Sequence, residues 1–345
     1  MNVKLLGLLP LLLATTAWAQ PPSNAPAEPA KEKRPFTFED MMKLKRVGEP
    51  VPSPDGKWVV FAATDVDLAA NTKKSHLWIV ASTGGQARRL NTESENEEER
   101  PRFSPDGKKL IFTSKATDPT QIWMRDFEGA SGGLAGVVRQ VTNISTGADG
   151  GIWAPDGKNI VFLSSVYPDA KSDAENKQRD EELKNSKVKA KIFTKLLYRH
   201  WNAFTEFKRS HLFVIAAEGD GPARDLTPGD RDVPPFNLGG QDMYAISPDS
   251  QEVAFTSNPD EVEATSTNNE IFLVPMAGGE RKKISTSPGS DSTPLYSPDG
   301  KSLAWKSMAR AGFEADKSRL FIYDRASGKA RDLSSDWDRS TGSFV

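Results

Sequence analysis

The chain has 345 residues, 37% hydrophobic and 27% charged, with 45 basic against 47 acidic side chains and a formal charge of −2. No basic surplus is left to neutralise a phosphate backbone, which argues against a nucleic-acid partner. With no cysteine and three scattered histidines (His76, His200 and His211), the composition also argues against disulfides, a thiol nucleophile and a histidine-rich metal centre, so no metal or cofactor is expected.

At the N-terminus, Lys4 precedes an apolar run from Leu5 to Ala14, and Ala17-Trp18-Ala19 places small residues where a signal peptidase reads them. Residues 1–19 are therefore expected to be a signal peptide cleaved before Gln20. Export to the periplasm or beyond follows, with no lipid anchor, because no cysteine stands at the cleavage point. The apolar run is too short to span a bilayer, so no membrane span is expected after cleavage. Residues 20–35, rich in Pro, Ala and charge, read as a flexible leader. A short helix should start after Thr37 as N-cap, with Glu39 and Asp40 in its first turn, and run to about Lys45.

From there a tetrapeptide organises the chain: Ser53-Pro54-Asp55-Gly56, Ser104-Pro105-Asp106-Gly107 and Ser297-Pro298-Asp299-Gly300, with variants at Ala154-Pro155-Asp156-Gly157 and Ser247-Pro248-Asp249-Ser250. Successive starts lie 51, 50, 93 and 50 residues apart. Such a period marks a repeat architecture, and the long interval is one repeat plus an insertion. Ser, Pro, Asp and Gly are the residues a type I turn asks for in that order.

Eight residues after each turn begins stands an aromatic: Phe61, Phe112, Phe162, Phe255 and Trp305. Aliphatic neighbours such as Leu110-Ile111 make this a short buried strand. A second apolar pair follows in each repeat (Leu77-Trp78, Ile122-Trp123, Leu212-Phe213, Ile271-Phe272, Leu320-Phe321), and each repeat closes on a short strand such as Asp225-Leu226-Thr227. With the strand before the turn, each repeat has four. The predicted fold is all-β: a propeller of four-stranded antiparallel blades, about five of them plus the start of a sixth.

The blades are expected over 47–95, 99–146, from Ala148, over 240–286 and over 290–335. Glu93 to Arg100, an acidic stretch, reads as a solvated connection. Residues 169–195 are charged and nearly free of large apolar side chains, and read as an exposed helical insertion in the third blade. Ser340 to Val345 matches the segment that precedes a turn, which suggests an incomplete propeller over 36–345 with an open edge.

One G-x-S-x-G string, Gly129-Ala130-Ser131-Gly132-Gly133, invites a catalytic reading. A nucleophile elbow needs a helix after the serine, whereas this string leads directly into a closing strand, so Ser131 is assigned to a hairpin and no catalytic residue is named. The Glu181-Glu182 pair reads as solvated. His76 and His211 hold the same place in two repeats and read as blade-edge residues. Among polar aromatic groups, Arg199 and Trp201 are the candidate substrate-binding residues, since a guanidinium clamps carboxylates and an indole stacks.

The Ser-Pro-Asp-Gly-Lys turns followed by aliphatic residues and Phe resemble the propeller repeats of TolB and of prolyl oligopeptidase-family serine peptidases. The opening from Phe36 to Val47, and the charged helix followed by Leu197-Tyr198-Arg199-His200-Trp201-Asn202 and His211-Leu212-Phe213-Val214, resemble the acylaminoacyl-peptidase and bacterial dipeptidyl-peptidase branch. The resemblance covers residues 36–345. It implies a propeller that caps an α/β-hydrolase domain and admits short peptides, with the Ser, Asp and His in that other domain. The expected role is therefore to filter peptide substrates for a hydrolase domain missing from this chain, with no activity from the chain alone. The alternative is a TolB-like propeller that binds proteins without catalysis.

Overall fold

The computed structural model describes residues 33–200, 202–204, 207–219, 221–235 and 243–345. The expected signal segment, and the leader up to residue 32, lie outside the described residues. The chain divides at Met42 into two units. In the first, the hydroxyl of Thr37 accepts from the N–H of Asp40 at 3.3 Å while the Asp40 carboxylate accepts from the N–H of Thr37 at 3.0 Å. This reciprocal cap starts helix α1 (Phe38–Lys43), which ends two residues before the expected Lys45.

In the second unit the five turns take the geometry their residues ask for. The N–H of the fourth residue donates to the carbonyl of the first at 2.8–2.9 Å in every copy. Where the first residue is serine, its hydroxyl donates to the aspartate at 2.6–2.7 Å and accepts the N–H of the residue five further on. Those serine hydroxyls hold the carboxyls of Asp55, Asp106, Asp249 and Asp299 below the ordinary range. Neighbouring turns also nest: Pro54 lies beside Gly107, Pro105 beside Gly157 and Pro248 beside Gly300.

Each turn joins two antiparallel strands, the second and third in the first sheet and the first two in the others. The first sheet contains β1 (Arg46–Val47), β2 (Val51–Pro52), β3 (Trp58–Asp67), β4 (Thr72–Ala81) and β5 (Arg88–Arg89), and the second β6 (Glu98–Phe103), β7 (Lys109–Ser114), β8 (Gln121–Glu128) and β9 (Gly133–Gln140). The third runs β10 (Asp149–Trp153) and β11 (Asn159–Val166), then β14 (Arg209–Ala216) and β15 (Arg224–Asp225). Between β11 and β14 lie α2 (Asp173–Asn185) and a separate ribbon of β12 (Arg199–His200) with β13 (Ala203–Phe204). The fourth contains β16 (Tyr244–Ile246), β17 (Glu252–Ser257), β18 (Glu270–Pro275) and β19 (Lys282–Lys283), and the fifth β20 (Asp291–Tyr296), β21 (Ser302–Ser307), β22 (Arg319–Asp324) and β23 (Lys329–Asp332). This is a β-propeller architecture, as the repeats predict.

The periodic aromatics pair across strands. Phe61 stands opposite Trp78, Phe112 opposite Trp123, Phe162 opposite Phe213, Phe255 opposite Phe272 and Trp305 opposite Phe321. The last three pairs stack with ring centroids 5.6–6.0 Å apart. Because side chains alternate along a strand, the second, third and fourth sheets each serve two cores. Phe112 and Leu110 pack with Val60 and Leu77 of the first sheet, while Ile111 between them packs with Ile160 and Phe162 of the third. Val161 then meets Phe255, and Ala254 meets Trp305. Burying one such ring contributes about 2–3 kcal/mol, so the in-phase aromatics hold sheet to sheet.

The residue two before the aromatic of the third strand is polar and ties back to the closing strand. The pairs are His76–Arg89 at 3.2 Å, His211–Asp225 at 2.7 Å, Glu270–Lys283 at 2.7 Å and Arg319–Asp332 at 3.7 Å. Two residues beyond the closing partner, the hydroxyls of Thr142, Thr227, Ser285 and Ser334 accept from the N–H groups of Ile122, Leu212, Ile271 and Leu320 at 2.7–2.9 Å. Side chains thus continue the ladder where the backbone leaves it.

One expectation is corrected here. Ser340 to Val345 carry no strand; Thr341 donates to the Ser318 carbonyl at 2.7 Å just before β22, and no ladder forms. A strand pattern becomes a strand only beside a paired neighbour.

Candidate functional site

The first strands of the second and third sheets, together with the fifth, are broken at the same place. Register shifts fall between Glu99 and Arg102, between Asp149 and Ile152, and between Ser292 and Leu295. Arg100, Gly150 and Thr293 adopt φ of +53°, +65° and +61° there. A bulge re-aims side chains at a strand end and recurs beside binding sites. Positive φ at Arg100, a non-glycine, is costly enough to need a local compensation.

Around the first two bulges lie three hollows of about 220, 320 and 290 Å³; the first shares Thr120 and Asp149 with the second and Glu99 with the third. Together they form a polar cleft across the first three sheets. Thr113 donates to Asp149 at 3.1 Å, and the Arg100 guanidinium stands 3.4 Å from the other Asp149 oxygen. Glu97 pairs with Lys115 at 2.7 Å and Arg102 with Glu49 at 2.6 Å. Glu99 pairs with Thr113 along the ladder and leaves its side chain exposed. On the third-sheet side the lining includes the small hydroxyl residues Ser164, Ser165 and Ser210. The lining thus combines the carboxylates of Glu49, Glu97, Glu99 and Asp149 with the cations of Arg46, Arg100, Arg102 and Lys115 and several hydroxyls.

The acidic stretch from Glu93 to Arg100 is thus not simply a solvated connection. Glu98 is 1% exposed; its Oε1 accepts from Asn91 at 2.5 Å and its Oε2 is buried without a hydrogen bond among the described residues. Burial pushes its carboxyl up to about 7. Asp291, fully buried and bonded by the Trp305 indole N–H at 3.0 Å, is likewise pushed up to about 7 by burial. The sequence carried a signal for both, since each stands six residues before the serine of a turn.

The residues singled out from sequence fall elsewhere. Arg199 lies on β12 opposite Phe204, outside the cleft lining. Trp201 lies outside the described residues, and the structure does not test that pair. Ser131 sits in the hairpin between β8 and β9, its hydroxyl 3.1 Å from the Glu128 carboxylate, with no helix following it. Glu181 and Glu182 are exposed on α2. Both ring nitrogens of His211 are engaged, by Asp225 and by the Gly229 carbonyl at 2.9 Å.

No family model matches the chain. It is 31% identical over 319 residues, 88% of its length, to dipeptidyl-peptidase 5 of Porphyromonas gingivalis, and 29% identical over 332 residues to the probable dipeptidyl-peptidase 5 of Arthroderma benhamiae. The chain spans 43% and 44% of the length of those relatives. Among solved structures it superposes on Pyrococcus horikoshii acylaminoacyl peptidase with a TM-score of 0.60 at 16% identity, over 88% of this chain and 41% of that one. It also superposes on the β-propeller domain of the trilobed protease of Pyrococcus furiosus, with a TM-score of 0.51 at 14% identity, over 87% of this chain and 74% of that domain.

Proposed function

The chain is a β-propeller of the prolyl oligopeptidase family of serine peptidases, and on that premise we propose that it filters short peptides for a hydrolase centre that residues 1–345 do not supply. The observation that carries this reading is the cleft across the first three sheets. In this reading Glu99 and Asp149 would hold the ammonium of a peptide N-terminus, and Thr120 and Ser165 would meet its backbone. Removal of N-terminal dipeptides is the activity this reading assigns to the complete protein. Attack by a serine deprotonated by a histidine, with the oxyanion held by backbone N–H groups, would take place in the hydrolase domain. Residues 36–345 make up the propeller in this reading. Residues 1–19 direct export, and Arg199 and Trp201 reach substrate from the insertion. Among the described residues no helix is long and apolar enough to cross a membrane.

The mature chain, residues 20–345, is tested by calorimetric titration with a short peptide and with its N-acetylated form, and for turnover of dipeptidyl p-nitroanilides. The free-amine peptide should bind more tightly, by about tenfold, and lose that advantage in Glu99→Gln with Asp149→Asn. No turnover is expected. Equal binding of the acetylated peptide, or turnover abolished by Ser131→Ala, would overturn the reading.

A further inference from the structure

The bulge that carries Asp149 is held by a side chain of another sheet. Gly150, buried and at φ +65°, follows Asp149 where β10 loses register with β11. Its N–H donates to the Thr113 hydroxyl at 3.4 Å, and that hydroxyl donates to Asp149 at 3.1 Å. Its carbonyl accepts from the Tyr244 hydroxyl of β16 at 2.8 Å. The next residue, Gly151, is pressed against the second sheet: a Cβ there would stand 2.9 Å from Ile122 and 3.2 Å from Ile111. The backbone beside Asp149 is thus fixed by the second sheet and by the fourth.

Tyr244 is a costly choice for a residue that only fills space. It is 3% exposed, in the core where Ala154 and Val161 of the third sheet side meet Phe255 of the fourth. A phenylalanine would bury the same ring with no hydroxyl to satisfy. Burial first, and then the Asp149 carboxylate, raise its phenol above the ordinary range, while Arg102 and Arg100 act the other way. The buried hydroxyl therefore lies within electrostatic reach of the charged groups of the cleft. The second sheet carries the same device. There the Trp153 indole N–H of the third sheet donates at 3.3 Å to the carbonyl of Arg102, the residue at which β6 regains its register. In both cases a buried aromatic donor from the next sheet holds a carbonyl at the bulge of the sheet before it.

We infer that Tyr244 is a positioning residue of the cleft: its hydroxyl, acting through the Gly150 carbonyl, holds the Asp149 carboxylate where it meets the ammonium of the peptide. A bulge built on a glycine at positive φ has little stiffness of its own, so the bonds made to it set its place. Without the Tyr244 bond the adjoining carboxylate is free to close on the Arg100 guanidinium, which stands 3.4 Å away. A carboxylate drawn onto a guanidinium offers less to an ammonium.

This inference rests on the peptide reading of the cleft, and the test separates the two. Ala-Ala-Phe-amide and its N-acetylated form are titrated calorimetrically into the mature chain and its variants, with the melting temperature of each recorded. Tyr244→Phe should weaken binding of the free-amine peptide about fivefold and leave the acetylated one unchanged. In the Asp149→Asn background the same change should have no further effect, since the group it positions is gone. Val253→Ala, which leaves a cavity in the same buried core, should lower the melting temperature and keep the ratio of the two affinities. A ratio unchanged in Tyr244→Phe, an equal shift in Val253→Ala, or a full further loss in the Asp149→Asn background overturns the inference and leaves the cleft reading standing. Equal binding of the two peptides by the unaltered chain overturns the cleft reading and the positioning role with it.

Discussion

Trp58 of the first sheet lies flat across Gly132 of the second: a Cβ added to Gly132 would stand 2.6 Å from the indole ring, and the indole N–H donates to the Gly129 carbonyl at 2.8 Å. Arg88 completes the grip by bonding the carbonyls of Ser131 and Gly132 at 2.9 and 2.8 Å. The G-x-S-x-G string is therefore a docking hairpin whose glycines admit the tryptophan. Gly132 also has φ of +65°, so Gly132→Ala meets backbone strain and a steric clash together. We predict a loss of about 2–3 kcal/mol in urea unfolding. Ser131→Ala, at an exposed position, should cost far less.

Ser250 stands where the other turns have glycine, at φ +60°. Its hydroxyl accepts the N–H of Asp156 at 3.0 Å and so joins the third and fourth turns. Ser250→Ala keeps the strain and loses the bond, and should destabilise by about 1 kcal/mol or more. Ser250→Gly relieves the strain while losing the same bond and should be close to neutral. Equal losses in the two variants, measured by thermal unfolding, would show that strain at this position is not significant.

Glu98 gives a pH dependence with a definite sign. Its folded value of about 7 lies above the ordinary 4.5, so the folded chain favours the neutral acid. That contribution is present below the ordinary value and is lost as pH rises toward and through 7. Glu98→Gln should therefore leave stability nearly unchanged at about pH 5 and raise it at about pH 8.5, by up to about 3 kcal/mol. A loss of equal size at both pH values would rule out burial of the charge as the controlling term.

The Arg209 network titrates in the opposite sense. Lys195 first, and Arg209 with it, hold the Asp230 carboxyl down to about 2, below its ordinary 3.8. The stabilisation is present above the ordinary value and lost as pH falls toward the folded one. Arg209→Gln leaves Asp230, Asp232 and Glu263 without their shared cation, an arrangement that repels itself. Limited trypsin digestion at neutral pH should then cut the Lys187 to Lys195 segment faster than in the unaltered chain, while fragments of the sheets persist.

The fold was legible because its signals are short-range. A serine that bonds a residue two positions on and accepts from one five positions on needs no tertiary context, and it fixes where each sheet begins. The aromatic eight residues from each turn start then falls opposite the next strand's aromatic because both are counted from the same hairpin. Helix α2 was legible too, from charge and helix propensity, although the chain from Ser186 to Tyr198 that follows forms no regular element. Ser340 to Val345 show the limit of such counting, since a strand needs a neighbour that composition cannot supply.

The cleft could not be read in this way. Glu99 and Asp149 are fifty residues apart and line one hollow only because two bulges recur at equivalent places in adjacent sheets. Only its spacing of six residues from Ser104 sets Glu98 apart from Glu97 and Glu99 in sequence, and that spacing says nothing of burial. Alternation along β6, packed between two sheets, buries Glu98 and raises its carboxyl while leaving Glu99 in water. What the sequence determined by itself is the set of turns, strands and paired aromatics, because hydrogen bonds and strand pairing within one repeat decide them. Which carboxylates are buried, and which converge on a cleft, was decided by the packing of one sheet against the next, since desolvation and proximity depend on residues that lie far away along the chain.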